Sequence, residues 1–390
     1  MTRITADWIT RPATRAVVDA LSAEGHQVFF VGGCVRNALI GAPVADVDLA
    51  TDALPRDVMR MAEVAELNPV PTGIDHGTVT VVSDRVGYEV TTFRRDVATD
   101  GRRATVAFSS DIAEDALRRD FTINALYATG EGLVVDPLGG GMADLADRQI
   151  RFIEDASARI REDYLRILRF FRFHAWYGAE DTGPDAQALD AIARNLEGLD
   201  GLSAERVGTE MLKLLSAADP APSVGVMAQC GALARILPGA DPRALAPLVH
   251  LEAQHVLPPD PIRRLSALGG EGVVERWRMS KKDARRLGDL TAAVGSGAST
   301  EELGYRYGAR TAIDATLLLA ASTGTPAPEA TVTRAEAGAS AIFPVRARDL
   351  GAQFRGAEIG DALRALEADW IASGFSLDRD ALLKKLPRKD

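Results

Sequence analysis

The chain has 390 residues and a net charge of −10, with 46% hydrophobic and 26% charged residues, the composition of an ordinary soluble protein. This length predicts two to four structural units rather than one core. Two cysteines, Cys34 and Cys230, exclude a disulfide framework, and no apolar run reaches membrane-spanning length. Because the N-terminus also lacks a signal pattern, we expect a cytoplasmic protein without a membrane partner. The acidic balance argues only weakly against nucleic acid, since a basic groove can lie on an acidic protein.

The first predicted strand covers residues 27–31, and an amphipathic segment within residues 1–26 is predicted to pack beside it as a helix. Gly32 and Gly33 then turn the chain into a short helix that ends near Gly41. A strand, a tight glycine turn and a helix N-terminus predict an anion site, because backbone N–H groups and the helix dipole favour negative charge there. A glycine pair on its own is more often a plain turn.

An Asp-x-Asp pair follows the turn. Asp46 and Asp48 lie within residues 44–50, which we predict to be a strand, and a period of two puts both carboxylates on one face. Converging carboxylates are costly unless a cation lies between them, and hard oxygen ligands suit Mg²⁺ that is shared with substrate phosphates. An isolated Asp-x-Asp is usually a solvated strand end, but the turn and the pair together predict phosphoryl or nucleotidyl transfer.

A β-hairpin is predicted next. Residues 77–83 and 87–94 are rich in β-branched residues and are joined by a short turn at Asp84-Arg85. We expect both strands to lie beside the Asp-x-Asp strand. Glu89 is then the candidate third carboxylate, the alternative being an exposed strand glutamate.

The next segments mix polar and helical patterns. Residues 95–110 are polar and charged and are predicted to be a mobile loop, and residues 115–127 are predicted to be one helix. The three glycines of residues 139–141 are typical of a hinge, and beyond residue 155 the pattern is almost wholly helical. We therefore expect the first domain boundary near this hinge.

A charged helix is predicted over residues 158–177. Asp163 and Arg166 are three residues apart and therefore neighbours on one helix face, and Arg169 and Arg172 continue the row. The alternative interpretation is an ion pair followed by a basic, solvated face.

The remaining chain is predicted to be helical. Ser280 and Asp283 have the spacing of a capping box at the start of a helix. The basic residues within 281–286 are predicted either to meet an RNA backbone or to form a solvated helix face.

Six blocks in this order resemble the bacterial class II tRNA nucleotidyltransferases, the CCA-adding enzymes, and their relatives the bacterial poly(A) polymerases. The resemblance covers about residues 28–215, and residues 343–371 resemble the family's tail more weakly. The blocks are Gly32-Gly33-x-x-Arg36, Asp46-x-Asp48, Arg118-Arg119-Asp120-Phe121-Thr122, Asp136-Pro137 with its glycines, Glu162-Asp163-x-x-Arg166-x-x-Arg169 and Leu202-Ser203-Ala204-Glu205-Arg206.

One position departs from the family pattern. The first block usually ends Arg-Asp, whereas this chain has Asn37, which can accept a hydrogen bond but carries no charge. We expect a tuned site rather than a dead one, because both metal carboxylates remain.

The resemblance implies an α+β fold with a polymerase-β-like nucleotidyltransferase head, a mixed sheet with helices, followed by an all-α neck, body and tail. It implies a head over residues 1–140, a neck over 141–215 that recognises the base, and a body over 216–325 and a tail over 326–390 that bind tRNA.

The resemblance also assigns roles to single residues. It implies Mg²⁺ held by Asp46 and Asp48 with help from Glu89. The resemblance implies that Gly32, Gly33 and Arg36 bind the triphosphate. It implies that Arg119 and Asp120 lie near the sugar and phosphates of the nucleotide. On this view a ribose 2′-hydroxyl donates to Asp120, which would favour ribonucleotides.

Base selection is expected to use Asp163 and Arg166. Cytosine and adenine both present an amino group beside an unprotonated ring nitrogen, so the carboxylate can accept from one and the guanidinium can donate to the other. Uracil and guanine present the reverse pattern, and unpaired groups in a closed pocket cost a few kcal/mol. Arg169 and Arg172 are expected to brace this pair or the triphosphate.

The predicted activity is therefore template-independent addition of C, C and A to the 3′ end of tRNA from CTP and ATP. The expected partners are the 3′ end and upper half of tRNA, not DNA. Three alternatives stay open: a poly(A) polymerase, a partial enzyme that adds only CC or only A, and a non-catalytic RNA-binding relative. No added phosphohydrolase signature is present, so no second activity is predicted.

Overall fold

The computed structural model describes residues 2–100, 103–179, 183–350 and 354–386, and the chain divides into two compact units. The first comprises residues 1–214 and 223–236, and the second comprises residues 215–222 and 237–390. A mixed sheet with helices, followed by helices alone, confirms the predicted α+β class. The finer division into head, neck, body and tail stays a prediction.

The strands of the described chain belong to the first unit. They are β1 (Val28–Val31), β2 (Asp48–Thr51), β3 (Asn68–Gly73), β4 (Thr78–Ser83), β5 (Val86–Thr92), β6 (Arg94–Asp100), β7 (Arg103–Phe108), β8 (Tyr127–Thr129) and β9 (Val134–Val135). Seven form one sheet in the order β3-β4-β5-β2-β1-β8-β9, in which β2 and β5 pair in parallel and the other neighbours pair antiparallel. The predicted hairpin is confirmed, but only β5 lies beside the Asp-x-Asp strand, since β4 pairs with the other edge of β5. Its turn at Asp84 and Arg85 has positive φ at both residues, which matches the twist of the flanking strands.

A further set of helices lies wholly or mainly in the first unit. They are α1 (Asp7–Thr10), α2 (Pro12–Ser22), α3 (Gly33–Leu39), α4 (Pro55–Val64), α5 (Ile112–Leu117), α6 (Gly141–Ala146), α7 (Ala156–Glu162), α8 (Leu165–Tyr177), α9 (Ala186–Arg194), α10 (Ala204–Leu215), α11 (Ala221–Gln229) and α12 (Ala232–Ile236). The amphipathic α2 buries Val17 and Leu21 and packs against β1, β4 and α4, which confirms the predicted N-terminal helix. A core cluster that includes Val31, Phe93 and Tyr127 supports the strand ends that lead to the site.

Residues 95–110 are not a loop as predicted. Most of them lie in β6 and β7, which form a separate two-stranded antiparallel sheet. The missed signal is Asp100-Gly101, a dipeptide that favours a tight hairpin turn between two strands. The high charge of the segment concealed its β pattern.

Two long helices of the prediction are also interrupted. Within residues 115–127, α5 ends at Leu117, a 3₁₀ turn covers Thr122–Asn124, and β8 begins at Tyr127. Within residues 158–177, α7 ends at Glu162 and α8 begins at Leu165, because Asp163 has extended backbone angles, φ −155° and ψ 104°. Tertiary packing overrides helix propensity at both breaks.

The second unit is helical. Its helices are α13 (Leu245–Gln254), α14 (Pro261–Leu268), α15 (Val273–Arg276), α16 (Lys281–Gly295), α17 (Thr300–Tyr307), α18 (Ala309–Thr323), α19 (Thr331–Ser340), α20 (Ala357–Ala372) and α21 (Arg379–Leu383). The predicted capping box starts α16: the Ser280 hydroxyl accepts from the Asp283 N–H at 3.1 Å and donates to its carboxylate at 2.7 Å.

A buried ionic network holds the core of this unit. Glu252 accepts from Arg263 at 2.7 Å and from Arg264 at 2.7 Å, and Arg263 also donates to Asp314 at 2.7 Å. These four side chains are almost fully buried and link α13, α14 and α18. Among the helices of the described residues, none is both long enough and apolar enough to cross a bilayer.

Candidate functional site

The glycine turn between β1 and α3 forms one wall of a cleft in the first unit. Gly32 has φ 70° and ψ −118°, which L side chains rarely adopt, and its N–H donates to the Leu126 carbonyl at 3.0 Å. Gly33 begins α3 with ordinary backbone angles, and a Cβ there would lie 3.8 Å from Arg36 Nη2. The backbone therefore requires the first glycine, whereas the second leaves space beside the cleft.

We expect Gly32→Ala and Gly33→Ala to differ in stability. The first substitution forces a side chain into a strained φ, at about 1–3 kcal/mol, and should lower the melting temperature by several degrees. The second meets only an ordinary contact, so its melting temperature should stay within about 1 °C of the parent, a change typical of a strain-free site. Thermal unfolding of both variants provides the comparison, and equal losses would contradict this account of the turn.

The three predicted carboxylates lie in β2, in the neighbouring strand β5, and in the segment that precedes β2. The strand predicted over residues 44–50 begins only at Asp48, so Asp46 lies in an exposed, irregular segment and is not aligned by strand periodicity. Asp48 pairs in parallel register with Glu89, and residues in register share one face of a sheet. Tyr88 and Val90 are buried on the opposite face, which leaves Glu89 exposed beside Asp48.

The electrostatics of Asp48 suit a cation. Burial raises the pKa of its carboxyl to about 6, and the negative charges of Glu89 and Asp46 act in the same direction, while Arg119 opposes them. Within the described residues, no group of three or more His, Cys, Asp or Glu side chains is arranged to hold a metal by itself. The carboxylates therefore fit a hard divalent cation that takes its remaining ligands from substrate and water.

Most of the predicted site residues line one cleft of about 470 Å³. Its lining holds six arginines and three aspartates and is therefore positively charged. The lining residues are Gly32, Gly33, Arg36, Asp48, Arg118, Arg119, Asp120, Asn124, Asp163, Leu165, Arg166, Arg169, Phe173 and Arg206. Asp46, Glu89 and Arg172 lie outside this lining as the described residues form it.

Asp115 organises one side of the cleft and was missed by the sequence reasoning. It is fully buried and accepts from Arg118 at 2.8 Å, from Arg119 at 2.9 Å and from the Tyr127 hydroxyl at 2.7 Å. Burial alone would raise the pKa of Asp115, but the charges of Arg119 and Arg118 lower it to about 2. An acidic residue three and four positions before two arginines is the signal that could have found it.

Asp120 is nearly buried and its carboxylate is fully used. One oxygen accepts from the Phe121 N–H and the Asn124 amide, both at 2.9 Å, and the other accepts from Arg169 at 2.6 and 2.7 Å. Burial would raise the pKa of Asp120, but Arg169 lowers it overall. The structure therefore makes Asp120 a support for Arg169 and Asn124. The expected ribose contact stays a prediction, and it requires one of these bonds to be exchanged.

Arg36 projects from α3 and is buried. It donates to Asn37 at 2.9 and 3.1 Å, to Asn124, and to the Tyr177 hydroxyl at 2.8 Å. Its guanidinium carbon also lies 4.0 Å from the centre of the Tyr177 ring and 5.1 Å from that of Phe173. The arginine of the first block is thus held by neutral and aromatic groups at the edge of the cleft.

Asp163 and Arg166 both line the cleft, but they do not share one helix face as expected, and they do not form the ion pair of the alternative interpretation. Asp163 lies in the break between α7 and α8, where it accepts from Arg206 at 2.5 Å and from the Leu165 N–H at 3.1 Å. Arg166 pairs with Glu162 at 2.5 Å, one turn earlier. The break at Asp163 turns its carboxylate away from the helix row and toward α10.

The partner residues of this region come from α7, from the residue that follows α5, and from α10. Arg166 also donates to the carbonyl oxygens of Arg159 and Arg118, at 2.9 and 3.0 Å. Arg172 donates to Glu210 at 2.5 Å. Arg206 lies in the last of the six family blocks, and no role in the site was predicted for it. The pair between Arg172 and Glu210 joins α8 to α10, which lie far apart in the sequence, so local spacing could not predict it.

The predicted hinge has local structural reasons for its glycines. Asp136 accepts from the N–H groups of Gly139 at 3.1 Å and Met142 at 3.0 Å, and Gly139 has φ 77°. A Cβ on Gly141 would lie 2.6 Å from the Thr122 carbonyl oxygen. A tight turn and a close backbone approach therefore account for these two glycines, and hinge motion stays a prediction.

Two family models match parts of this chain, and relatives of known name match longer stretches of it. Residues 28–151 match the model of the Poly A polymerase head domain, and residues 184–243 match the model described as probable RNA and SrmB-binding site of polymerase A. The CCA-adding enzyme of Leuconostoc citreum is 37% identical over 293 residues, which is 71% of this chain and 70% of that protein. Mitochondrial CCA tRNA nucleotidyltransferase 1 of Mus musculus is 40% identical over 203 residues, so the chain spans 46% of that relative's length.

A solved structure extends the match. The crystal structure of the Bacillus stearothermophilus CCA-adding enzyme in complex with CTP is 29% identical, aligns with a TM-score of 0.74, and covers 93% of this chain and 94% of that one. The glycine turn, the paired aspartates and the arginine cleft thus occur in a chain whose sequence and fold both match the same group of proteins. This chain belongs to the family of CCA-adding tRNA nucleotidyltransferases, whose head domain matches that of the poly A polymerases.

Proposed function

We propose that this chain is a nucleotidyltransferase that adds C, C and A to the 3′ end of tRNA from CTP and ATP without a nucleic acid template. The observation that carries the proposal is the cleft itself, in which a glycine turn, the carboxylate of Asp48 and six arginines converge. That combination matches a triphosphate beside a metal-binding carboxylate. The relative solved with CTP, at 29% identity across nearly the whole chain, supports the choice of nucleotide.

Asp46 and Asp48 would hold Mg²⁺, with Glu89 beside them. When bound, the metal lowers the pKa of the RNA 3′-hydroxyl and offsets the charge on the leaving pyrophosphate. The fit rests on Asp48, whose raised pKa reflects burial and nearby negative charge that a cation would relieve. A cation bound beside Asp48 would therefore favour the ionised form of its carboxylate.

The arginines of the cleft would bind the triphosphate. Each guanidinium offers donors in a planar fork that matches phosphate oxygens. Arg118 and Arg119 are held by Asp115, and Arg169 is held by Asp120, so these cations are placed before substrate arrives. Such preorganisation reduces the reorganisation needed as charge shifts toward the leaving pyrophosphate.

Asp163 and Arg166 would read the base. A carboxylate can accept about four hydrogen bonds and Asp163 accepts two, while a guanidinium has five N–H donors and Arg166 uses three within the described residues. Acceptor and donor capacity thus remains on both side chains. The amino group and ring nitrogen of cytosine or adenine can use that capacity, whereas uracil and guanine present the reverse pattern.

The RNA would extend beyond this cleft. Residues 184–243, which match the model of a probable RNA-binding segment, include α9 to α12. In the second unit, Lys281, Lys282 and Arg285 are exposed on α16, whereas Arg286 is engaged with Asp260 and Asp314. We propose that the exposed basic residues contact the phosphates of the upper half of tRNA.

Extension of a tRNA that lacks its 3′ CCA tests the activity. The tRNA is incubated with Mg²⁺ and CTP, ATP or both, and the products are resolved at single-nucleotide resolution. Two additions with CTP alone, and one more followed by a stop when ATP is present, are the expected result. A long ladder with ATP alone would instead identify a poly(A) polymerase, and extension limited to CC or to a final A would identify a partial enzyme. An absence of extension with intact RNA binding would identify a non-catalytic relative.

A base-selection variant tests the role of Asp163. We expect Asp163→Ala to reduce the preference for CTP over UTP, measured as the ratio of kcat/KM values, by about 100-fold, because the unpaired acceptor that penalises uracil is gone. Asp190→Ala is a matched control, since Asp190 forms an exposed ion pair with Arg194 on α9 at 2.9 Å. Unchanged discrimination in Asp163→Ala, with overall rate reduced, would assign the residue a structural role through Arg206.

A further inference from the structure

The six arginines of the cleft are not equivalent. Five of them form ion pairs with carboxylates at 2.5 to 2.9 Å: Arg118, Arg119, Arg166, Arg169 and Arg206. Arg36 differs, because within the described part of the chain its hydrogen-bond partners are two amides and a hydroxyl. Arg36 is therefore a buried cation of the cleft that no carboxylate of the described residues pairs with.

Asn37 is the residue that makes this arrangement possible. Its Oδ1 accepts from Arg36 Nε at 3.1 Å and from Nη2 at 2.9 Å, so it aligns the guanidinium fork without neutralising it. If the Asn37 amide were flipped, its NH₂ group would face the N–H groups of Arg36 and its oxygen would face the Pro43 carbonyl. The hydrogen-bond network therefore determines which atom of the amide is oxygen and which is nitrogen. Tyr177 and Phe173 cover the guanidinium with their rings and add no charge.

The other end of the same amide reaches the segment that carries Asp46. Asn37 Nδ2 donates to the Pro43 carbonyl at 2.8 Å, and the Asn37 carbonyl accepts from the Ala42 N–H, also at 2.8 Å. Pro43 lies three residues before Asp46 in the irregular segment between α3 and β2. One side chain thus connects the arginine of the glycine block to the segment that precedes the paired aspartates.

We propose that Asn37 is a positioning residue that keeps Arg36 aligned and electrostatically available for the nucleotide triphosphate, and that also fixes the segment carrying Asp46. The inference rests on the proposed function for the identity of the ligand. A carboxylate at this position would form an ion pair with Arg36 and reduce its attraction for phosphate. It would also face the Pro43 carbonyl oxygen with an acceptor, since an ionised carboxylate has no donor.

Asn37→Asp tests the inference, with Asn68→Asp as the matched control. Asn68 is exposed on the edge strand β3, so the control adds the same charge outside the cleft. Isothermal titration of CTP in the presence of EDTA should show binding weakened by about tenfold in Asn37→Asp, the scale of losing one charge-assisted contact, and unchanged in Asn68→Asp. Equal CTP affinity in Asn37→Asp and the parent, or equal losses in both variants, would overturn the proposal.

A second variant separates the effect of added charge from the loss of the hydrogen bonds. Asn37→Ala removes all three side-chain hydrogen bonds without adding charge, so metal-free CTP binding should weaken by only about threefold, in keeping with a neutral hydrogen bond. The Mg²⁺ concentration for half-maximal tRNA extension should rise severalfold in both Asn37 variants, because the segment carrying Asp46 loses its tether. An unchanged Mg²⁺ requirement in both variants would overturn the tether.

The same experiments distinguish this inference from the proposed function. Extension of tRNA by the parent together with unaltered CTP binding in Asn37→Asp would reject the inference alone. Selective loss of CTP affinity in Asn37→Asp, combined with no extension of any tRNA by the parent, would support the arrangement around Arg36 and reject the activity. A parent that binds no CTP would reject both.

Discussion

Replacing Asp46 and Asp48 together with alanine should abolish nucleotide addition, with a loss of at least about 1,000-fold in kcat, while tRNA binding stays intact. The reason is the position of the two carboxylates. Asp48 lies in the cleft beside six arginines, and its electrostatic surroundings include both Asp46 and Glu89. Without these two side chains, only Glu89 would remain of the three carboxylates that we propose hold the divalent cation.

Single-turnover extension measures the rate of nucleotide addition, and a gel-shift assay with the same tRNA measures the affinity for tRNA. Asp19→Ala is a suitable control, since Asp19 is an exposed residue of α2 paired with Arg15, so both activity and binding should be retained. Nucleotide addition by the double variant at more than about one tenth of the parent rate would contradict the assignment of the carboxylates to the reaction.

The second large effect is expected at Asp115. Asp115→Asn leaves Arg118 and Arg119 beside a neutral amide in a buried position, which should destabilise the first unit by about 3 kcal/mol at pH 7. The KM for nucleotides should also rise, because the two guanidinium groups that line the cleft lose the carboxylate that aligns them. Asp57→Asn is the matched control: its pair with Arg60 has the same spacing but is solvent-accessible and 3.5 Å long, so its loss should leave the stability close to that of the parent.

The sign of the pH dependence follows from the direction of the shift. The pKa of Asp115 is about 2 in the folded state, against an ordinary value of 3.8 for an aspartate. The ionised carboxylate therefore stabilises the protein fully above about pH 4, and this contribution, about 2 kcal/mol, is lost as the pH falls toward 2. Urea unfolding from pH 7 to pH 2.5 should show the gap between parent and Asp115→Asn narrowing as the pH falls. A gap that stays constant would mean that packing, not charge, is the source of the effect.

Much of the local structure was predictable because its signals are short-range. The strand that ends at Val31, the turn at Gly32, the hairpin turn at Asp84 and Arg85, and the capping box at Ser280 each depend on residues within a few positions. The ordered blocks also identified the family and most of the cleft residues. These signals require only backbone preference and local hydrogen bonding.

The tertiary structure decided which side chains meet. Asp163 could pair with Arg166 by spacing, yet the helix breaks there and Asp163 pairs with Arg206 from α10. Asp120 binds Arg169, forty-nine residues away, and the parallel register of β2 with β5 places Glu89 opposite Asp48. Local spacing favours the alternative ion-pair partners about equally, so the packing of distant segments decides which pairs form. Burial then strengthens the ion pairs that do form, because water is removed from around them. The sequence by itself determined the chemistry available to the site, whereas the fold determined which arginines are neutralised and that Arg36 is not.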